Sequence, residues 1–217
     1  MNIEEVKVEE FKIEEGKIEE LLIKEVKIDK RTVEKFLGYG SRKVPKNIEK
    51  VIDEEIEGIN DLLEISVFTK EIHKDNNDFG GEYVKKCFAQ CEKSYVALYS
   101  IGSKIEDKIN KSMSSNDMIR GFVLDKVGIV ALDYINDCIK KNLEDKYDLY
   151  ISSEIYPGNK DFEVNNQRII YEYLKNDDIT INEYNQMHPI KSVAMILCIG
   201  KNKSCVSRCD ECGNKCM

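Results

Sequence analysis

The spacing of apolar residues changes several times along the chain, and each change marks a new predicted element. Between residues 48 and 63, Ile, Val and Leu recur every three or four positions, which is typical of a helix with one face on a core. Pro45 lies just before this run, where a helix can begin. The segment Thr32–Leu37 also predicts a short helix, and Gly38 is placed to end it. Two further short helices are predicted around residues 105–109 and 164–174.

The longest predicted helix follows a group of small polar residues at 114–117, each of which is a good N-terminal cap. Its apolar positions keep the helical spacing over almost twenty residues. They are Ile119, Phe122, Val123, Val127, Val130, Ala131, Tyr134, Ile135 and Cys138. Because Cys138 continues this stripe, we interpret it as a small core residue.

Short runs of β-branched and aromatic residues predict strands between these helices. The runs are Ile65–Ile72, Tyr95–Ile101, Tyr147–Ser152, Ile179–Ile181 and Ser192–Ile199. The last is apolar enough for a central strand. Helices and strands alternate without the regular rhythm of a doubly wound fold, so the pattern predicts an α+β class.

The first 28 residues form a separate extension in this reading. Lys-Val-Glu-Glu or Lys-Ile-Glu-Glu occurs three times at intervals of five, which fits neither a helix face nor a strand face throughout. Local alternation, with Gly16 as a turn, favours a charged hairpin or edge strands over residues 1–28. A main domain over residues 29–200 and a cysteine-rich tail over residues 201–217 complete the predicted organisation.

Composition and charge narrow the class of protein. With 41% hydrophobic and 34% charged residues, the 217-residue chain is globular. A net charge of −8 argues against a nucleic-acid partner, which would need a basic face. No apolar run is long enough for a membrane span, and the acidic N-terminus lacks the apolar core of a signal peptide. We therefore expect a cytoplasmic protein without a membrane partner.

Five of the eight cysteines fall within the last twenty residues, which is unlike a disulfide framework tying distant segments together. Cys205, Cys209, Cys212 and Cys216 are separated by three, two and three residues, so metal binding is the first interpretation. Close spacing of this kind suits a 4Fe-4S cluster, and four thiolates also suit structural zinc. A redox dithiol or unligated thiols remain alternatives. Cys87 and Cys91 lie four apart and are a candidate source of a further ligand.

Five segments, taken together and in this order, resemble one known family. They are Tyr39, Val96–Gly102, Gly121–Gly128, Tyr156–Gly158 and Met187–Val193. The set is similar to the activation domain of cobalamin-dependent methionine synthase, which binds S-adenosylmethionine, and more closely to its stand-alone form. The resemblance runs from about Asp29 to Gly200 and rests on the set of segments, not on one motif.

The resemblance implies a C-shaped α+β domain with a central, mostly antiparallel sheet flanked by helices. It also implies a repair role: the family domain docks on the cobalamin module when the cobalt has become inactive Co(II), and supports its reductive methylation with S-adenosylmethionine. The expected partner is therefore the cobalamin-binding module of a methionine synthase or another corrinoid methyltransferase. A reductase or a flavodoxin-type protein is the expected electron donor, and the cobalamin is carried by the partner.

The family's ligand loop reads Arg-x-x-Pro-Gly-Tyr, and the resemblance places it at residues 154–159. Pro157 and Gly158 match, whereas Glu154 replaces the arginine and Asn159 replaces the tyrosine. Glutamate would repel the ligand carboxylate that arginine pairs with, but it would favour the sulfonium or the amino group. Tyr156 is placed to supply a ring from a neighbouring position. These five residues are the predicted cofactor site, and a simple turn is the alternative reading.

Two functions follow from these observations. The first is a reactivation factor for a cobalamin-dependent methyltransferase, with the four tail cysteines passing the electron that reduces cobalt. The second is a non-enzymatic, metal-binding adaptor that has kept the fold and lost the S-adenosylmethionine site. The replacements at Glu154 and Asn159 favour the second function, and the set of family segments favours the first.

Overall fold

The computed structural model describes residues 17–73 and 78–203, which form an α+β fold. A five-stranded antiparallel sheet is flanked by six α-helices in these residues. The helices are α1 (Lys30–Phe36), α2 (Lys46–Glu57), α3 (Glu82–Gln90), α4 (Lys104–Ser114), α5 (Met118–Tyr147) and α6 (Asn166–Tyr173). The strands are β1 (Glu19–Glu20), β2 (Ser66–Ile72), β3 (Lys93–Ser100), β4 (Tyr150–Ile155), β5 (Thr180–Ile181), β6 (Met187–His188) and β7 (Ser192–Gly200).

The main sheet has the order β1-β2-β3-β7-β4, and every neighbouring pair is antiparallel. The strand β7 is late in the sequence but interior in the sheet, since it pairs with both β3 and β4. The β4–β7 ladder contains a register shift between Ile151 and Ser153. Strands β5 and β6 form a separate two-stranded sheet.

The sheet is covered on both faces, and the alternation of side chains along β3 shows this directly. Tyr95, Ala97 and Tyr99 belong to one core, in which α1, α2, α4 and α5 pack; we call this side the α5 face. Val96 and Leu98 belong to the other core, which contains residues of α3 and α6; we call this side the α6 face. Both cores are continuous, so the sheet lies between two hydrophobic layers.

The structure confirms most of the predicted elements. A helix begins after Pro45, Gly38 follows α1 with a left-handed φ of 86°, and the apolar run ending at Ile199 is an interior strand. Asp117 caps α5 by accepting a hydrogen bond from the Arg120 amide at 3.2 Å. Local capping chemistry thus fixes these boundaries.

Two details of the pattern were wrong. Ile119 and Phe122 continue the apolar spacing of α5 but are 45% and 52% exposed, because α4 packs on the opposite side of the helix, where Gly121 faces Met113. Tyr147 is the last residue of α5 and does not begin a strand; its hydroxyl bonds to Tyr95 in β3. The strand β4 begins only at Tyr150, after Asp148 has adopted a left-handed conformation.

The described part of the N-terminal extension contains the two-residue strand β1, which pairs with β2. Residues 21–28 have no regular structure, but Ile23 and Val26 are buried on the α5 face. The Val26 amide donates to Asn60 Oδ1 at 2.9 Å, which ties this segment to the domain. Residues 1–16, where the hairpin was expected, lie outside the described residues. None of the helices within the described ranges is long and apolar enough to span a membrane.

Candidate functional site

Four polar side chains meet where the end of β4 faces the middle of α5. Glu154 pairs with Leu197 of β7 and points to the α5 face, where it contacts two α5 residues. Its Oε1 accepts from Lys140 Nζ at 3.1 Å, and its Oε2 accepts from Asn136 Nδ2 at 3.0 Å. The Tyr156 hydroxyl donates to the same Oε2 at 2.7 Å. Asn136, Lys140, Glu154 and Tyr156 are the polar cluster.

The polar cluster contains one carboxylate and one ammonium, and the Lys140 ammonium also pairs with Asp137 at 2.9 Å. Burial alone would raise the pKa of Glu154, but the Lys140 charge and the hydrogen bonds from Asn136 and Tyr156 outweigh it, so the pKa lies below its ordinary value. Burial would likewise lower the pKa of Lys140, but Glu154 and Asp137 hold it above its ordinary value. Both groups are therefore ionised near neutral pH. The Glu154 carboxylate is already matched by a cation within the protein.

One acceptor in the polar cluster has no partner. Asn136 is 4% exposed, and its Oδ1 is buried without a hydrogen bond to any described residue. Its Nδ2 donates both to Glu154 and, at 3.2 Å, to the Tyr156 hydroxyl. Buried polar atoms nearly always find a partner in a folded protein, because leaving one unpaired costs about 1–3 kcal/mol. Asn136 Oδ1 is thus a buried acceptor without a partner among the described residues.

The chain turns sharply directly after the polar cluster. The Asn159 amide donates to the Tyr156 carbonyl at 3.0 Å, and the Gly158 amide donates to the Phe162 carbonyl at 2.7 Å. Gly158 has a φ of 96° and is exposed, whereas Pro157 and Asn159 are half-buried. A left-handed residue without a side chain permits close approach of another molecule to the backbone. The turn expected at Tyr156–Asn159 is present.

The structure brings Glu154 and Tyr156 together on the α5 face and places Pro157, Gly158 and Asn159 in the turn that follows. Sequence reasoning missed Asn136 and Lys140, which come from a different element. Asn136 could have been found from the sequence, because it directly follows Tyr134 and Ile135 of the apolar stripe. A polar residue that is buried beside such a stripe needs a hydrogen-bond partner, which makes it a candidate for a site.

The remaining sequence candidates lie elsewhere. Both His73 and His188 lie at strand ends and are exposed. Cys138 is buried, in agreement with its assignment to the core. The four tail cysteines lie outside the described residues. Between residues 17 and 203, apart from 74–77, no group of three or more His, Cys, Asp or Glu side chains is arranged to hold a metal ion.

A solved structure with the same architecture is the crystal structure of the MetH reactivation domain bound to AdoHcy. It superposes with a TM-score of 0.60 over 88% of this chain and 81% of that chain, at 9% sequence identity. The chain has the fold of the MetH reactivation domain. No protein-family model and no curated protein matches the sequence.

The likeness to the MetH reactivation domain confirms the fold that the sequence resemblance implied. Coverage of 88% of the chain is too wide to be a match of one layer alone, so both the sheet and its helices contribute. At 9% identity, the likeness to the MetH reactivation domain concerns the backbone and carries no residue roles. The function must therefore be argued from the polar cluster and the turn.

Proposed function

We propose that this protein binds S-adenosylmethionine at the polar cluster and the adjoining turn, and reactivates a cobalamin-dependent methyltransferase of the methionine synthase type. One observation carries the proposal: the chain has the fold of a domain whose crystal structure is bound to AdoHcy. The unpartnered buried acceptor Asn136 Oδ1, beside the expected ligand loop, supports it. The partner is the cobalamin-binding module of that methyltransferase. The proposed location is the cytoplasm.

The chemistry of the polar cluster suits this ligand. S-adenosylmethionine carries N–H donors on its ammonium and on its adenine amino group, and Asn136 Oδ1 is a buried acceptor in need of one. Glu154 stands where the family has arginine, but Lys140 pairs with it at 3.1 Å, which reduces the repulsion of the ligand carboxylate. The exposed Gly158 lets the ligand lie against the backbone of the turn.

In the proposed reaction, the ligand, this chain and an electron donor each have a separate role. Bound S-adenosylmethionine supplies the activated methyl group, and the residues of this chain bind and orient it. The electron comes from a reductase or a flavodoxin-type protein, and we propose that Cys205, Cys209, Cys212 and Cys216 hold a 4Fe-4S cluster that relays it. Zinc at the same thiolates would give the tail a structural role instead.

Calorimetry with S-adenosylmethionine tests the binding step. Asn136→Leu removes the unpartnered acceptor while keeping the size of the side chain, and we expect the affinity to fall about tenfold or more, equivalent to about 1.4 kcal/mol. Asn110→Leu is the matched control, since Asn110 is an exposed residue of α4. A folded wild-type protein that shows no heat of binding would contradict the proposal.

Reactivation is tested separately with a cobalamin-dependent methyltransferase that lacks its own activation domain. The Co(II) absorption of the enzyme should disappear only when this protein, S-adenosylmethionine and a reductant are all present. Normal ligand binding with no effect on the cobalt spectrum would disprove the repair role and leave the binding site standing.

The alternative is a metal-binding adaptor without ligand chemistry. It is favoured by the fact that both charged members of the polar cluster, Lys140 and Glu154, are already paired with each other. An adaptor would contain metal at the tail cysteines and show no heat with S-adenosylmethionine. The two measurements together therefore separate the functions.

A further inference from the structure

Two carboxylates share one ammonium group beside the turn that follows β4. Lys140 Nζ lies 2.9 Å from Asp137 Oδ1 and 3.1 Å from Glu154 Oε1. Among the described residues, no other Lys, Arg or His nitrogen lies within 4.0 Å of either carboxylate. We call Asp137, Lys140 and Glu154 the ion triad. With two negative charges and one positive charge, the ion triad carries one negative charge in excess.

The ion triad lies at the boundary between solvent and the hydrophobic core. The side chains of Glu154 and Lys140 are 21% and 23% exposed, and that of Asp137 is 41% exposed. Ile135 and Ile139 of the same helix are fully buried in the core on the α5 face. Water screens a charge at such a boundary less than it screens a charge in bulk solvent, because the effective dielectric constant is lower. A ligand can therefore reach the ion triad and be influenced by its charge.

The hydrogen bonds made to Glu154 do not cancel the excess charge. Asn136 Nδ2 and the Tyr156 hydroxyl donate to Glu154 Oε2 at 3.0 Å and 2.7 Å. Both donors stabilise the carboxylate, but neither group brings a positive charge. The excess negative charge is thus a property of the protein before any ligand binds.

S-adenosylmethionine and its demethylated product AdoHcy differ in charge at a single atom, the sulfur. When the methyl group passes to an acceptor as CH3⁺, both electrons of the broken bond stay on sulfur, and the sulfonium becomes a neutral thioether. The ligand therefore loses its net positive charge on methyl transfer. A sulfonium has no hydrogen to donate, so a hydrogen-bond acceptor cannot distinguish the two molecules, whereas a nearby charge can.

We propose that the excess negative charge of the ion triad makes the site select S-adenosylmethionine over AdoHcy, so that the product is released after methyl transfer. This inference rests on the proposed binding of S-adenosylmethionine at the polar cluster. Asn136 Oδ1 has a different role, because it accepts from an N–H group that both molecules carry. Asn136 therefore contributes to the affinity for both ligands, and the ion triad provides the selectivity between them.

Calorimetry of the full chain with S-adenosylmethionine and with AdoHcy measures the selectivity as the ratio of the two dissociation constants. We expect wild type to bind S-adenosylmethionine about tenfold more tightly than AdoHcy. Asp137→Asn and Glu154→Gln each remove the excess charge and should bring this ratio close to one. The first of these changes is at the more exposed carboxylate, so it tests the charge with the smaller effect on folding.

Two further variants separate charge from other effects. Asn136→Leu should weaken the binding of both ligands by a similar factor and leave their ratio unchanged. Glu172→Gln is the matched control for the loss of one negative charge. Glu172 is an exposed carboxylate of α6, on the other side of the sheet, and pairs with Lys175 at 4.0 Å. This variant should keep the wild-type ratio.

The outcomes distinguish this inference from the proposed function. Equal affinity of wild type for the two ligands would overturn the selectivity and leave the binding site standing. A ratio that stays at the wild-type value in both Asp137→Asn and Glu154→Gln would likewise overturn the role of the ion triad. No heat of binding with either ligand would contradict the proposed function itself, and the inference with it. Circular dichroism of each variant confirms that it is folded.

Discussion

Glu154 is held by neighbours that all favour its charged form, and this has a consequence for stability in acid. Its pKa is lower in the folded protein than its ordinary value of 4.5, so its contribution to stability is complete above that value. The contribution is lost as the pH falls below 4.5 through the folded pKa. We expect Glu154→Gln to destabilise the protein near neutral pH and to differ less from wild type as the pH falls below 4.5. Urea unfolding at several pH values checks this, and a constant difference would contradict it.

Gly158 is expected to be indispensable for the shape of the turn. Its φ of 96° is strained for any residue with a Cβ atom, and a Cβ would also lie 3.3 Å from Val164 Cγ2. Gly158→Ala should therefore cost about 1–2 kcal/mol of unfolding free energy and weaken binding of S-adenosylmethionine. Gly80→Ala is the control, because a Cβ there meets nothing within 4 Å. Equal thermal stability of the two variants would show that the turn relaxes freely.

The turn at Tyr156–Asn159 was predictable because its cause is local. Proline and glycine set the backbone angles of a turn whatever surrounds it. The polar cluster was not predictable in the same way, since Asn136 and Lys140 reach Glu154 across 18 and 14 residues of sequence. Such a contact depends on how a helix lies on a sheet, which no local pattern specifies.

Among the elements, α2, α4 and α5 are joined by one buried carboxylate. Glu55 of α2 is 1% exposed and accepts from Lys108 of α4 at 2.5 Å and from Arg120 of α5. Glu55→Gln leaves two cations without their shared partner, and we expect a loss of about 2 kcal/mol. Urea unfolding measures this. Glu54→Gln is the control, since the exposed Glu54 also pairs with Arg120 and should change stability little.

In α5, the spacing of apolar residues predicts the helix but not which of those residues are buried. The apolar spacing predicted the helix itself, and its buried positions from Val123 to Cys138 agree with the core. At the N-terminal end, Ile119 and Phe122 keep the spacing but are exposed. A hydrophobic stripe records which residues are apolar; it does not record how far along the helix the neighbouring elements extend.

For the whole molecule, the fold class could be predicted from the sequence, but the order of the strands in the sheet could not. The irregular alternation of elements predicted α+β, but nothing in the pattern places β7 between β3 and β4. The same limit applies to the end of α3: the Glu92 amide donates to the Ile199 carbonyl, a residue 107 positions later in sequence, and only the packing brings the two together.

The four tail cysteines give a prediction for the complete protein. If they hold a 4Fe-4S cluster, anaerobic reconstitution should give about four irons per chain and a broad visible absorption band. Cys209→Ser should lose both, whereas Cys138→Ser should lose neither, since Cys138 is buried on the α5 face. Bound zinc, or no metal at all, would remove the electron-relay role from the tail.

The interior position of β7 also affects how the protein is made. A growing chain can pair β2 with β3 early, but β3 and β4 have no bridge between them until residues 192–200 have been synthesised. Until then, the newly made β3 and β4 present unpaired edges and uncovered apolar side chains. Closure of the sheet must therefore wait until β7 has been made. Exposed strand edges and apolar surface of this kind favour aggregation of a partly folded chain.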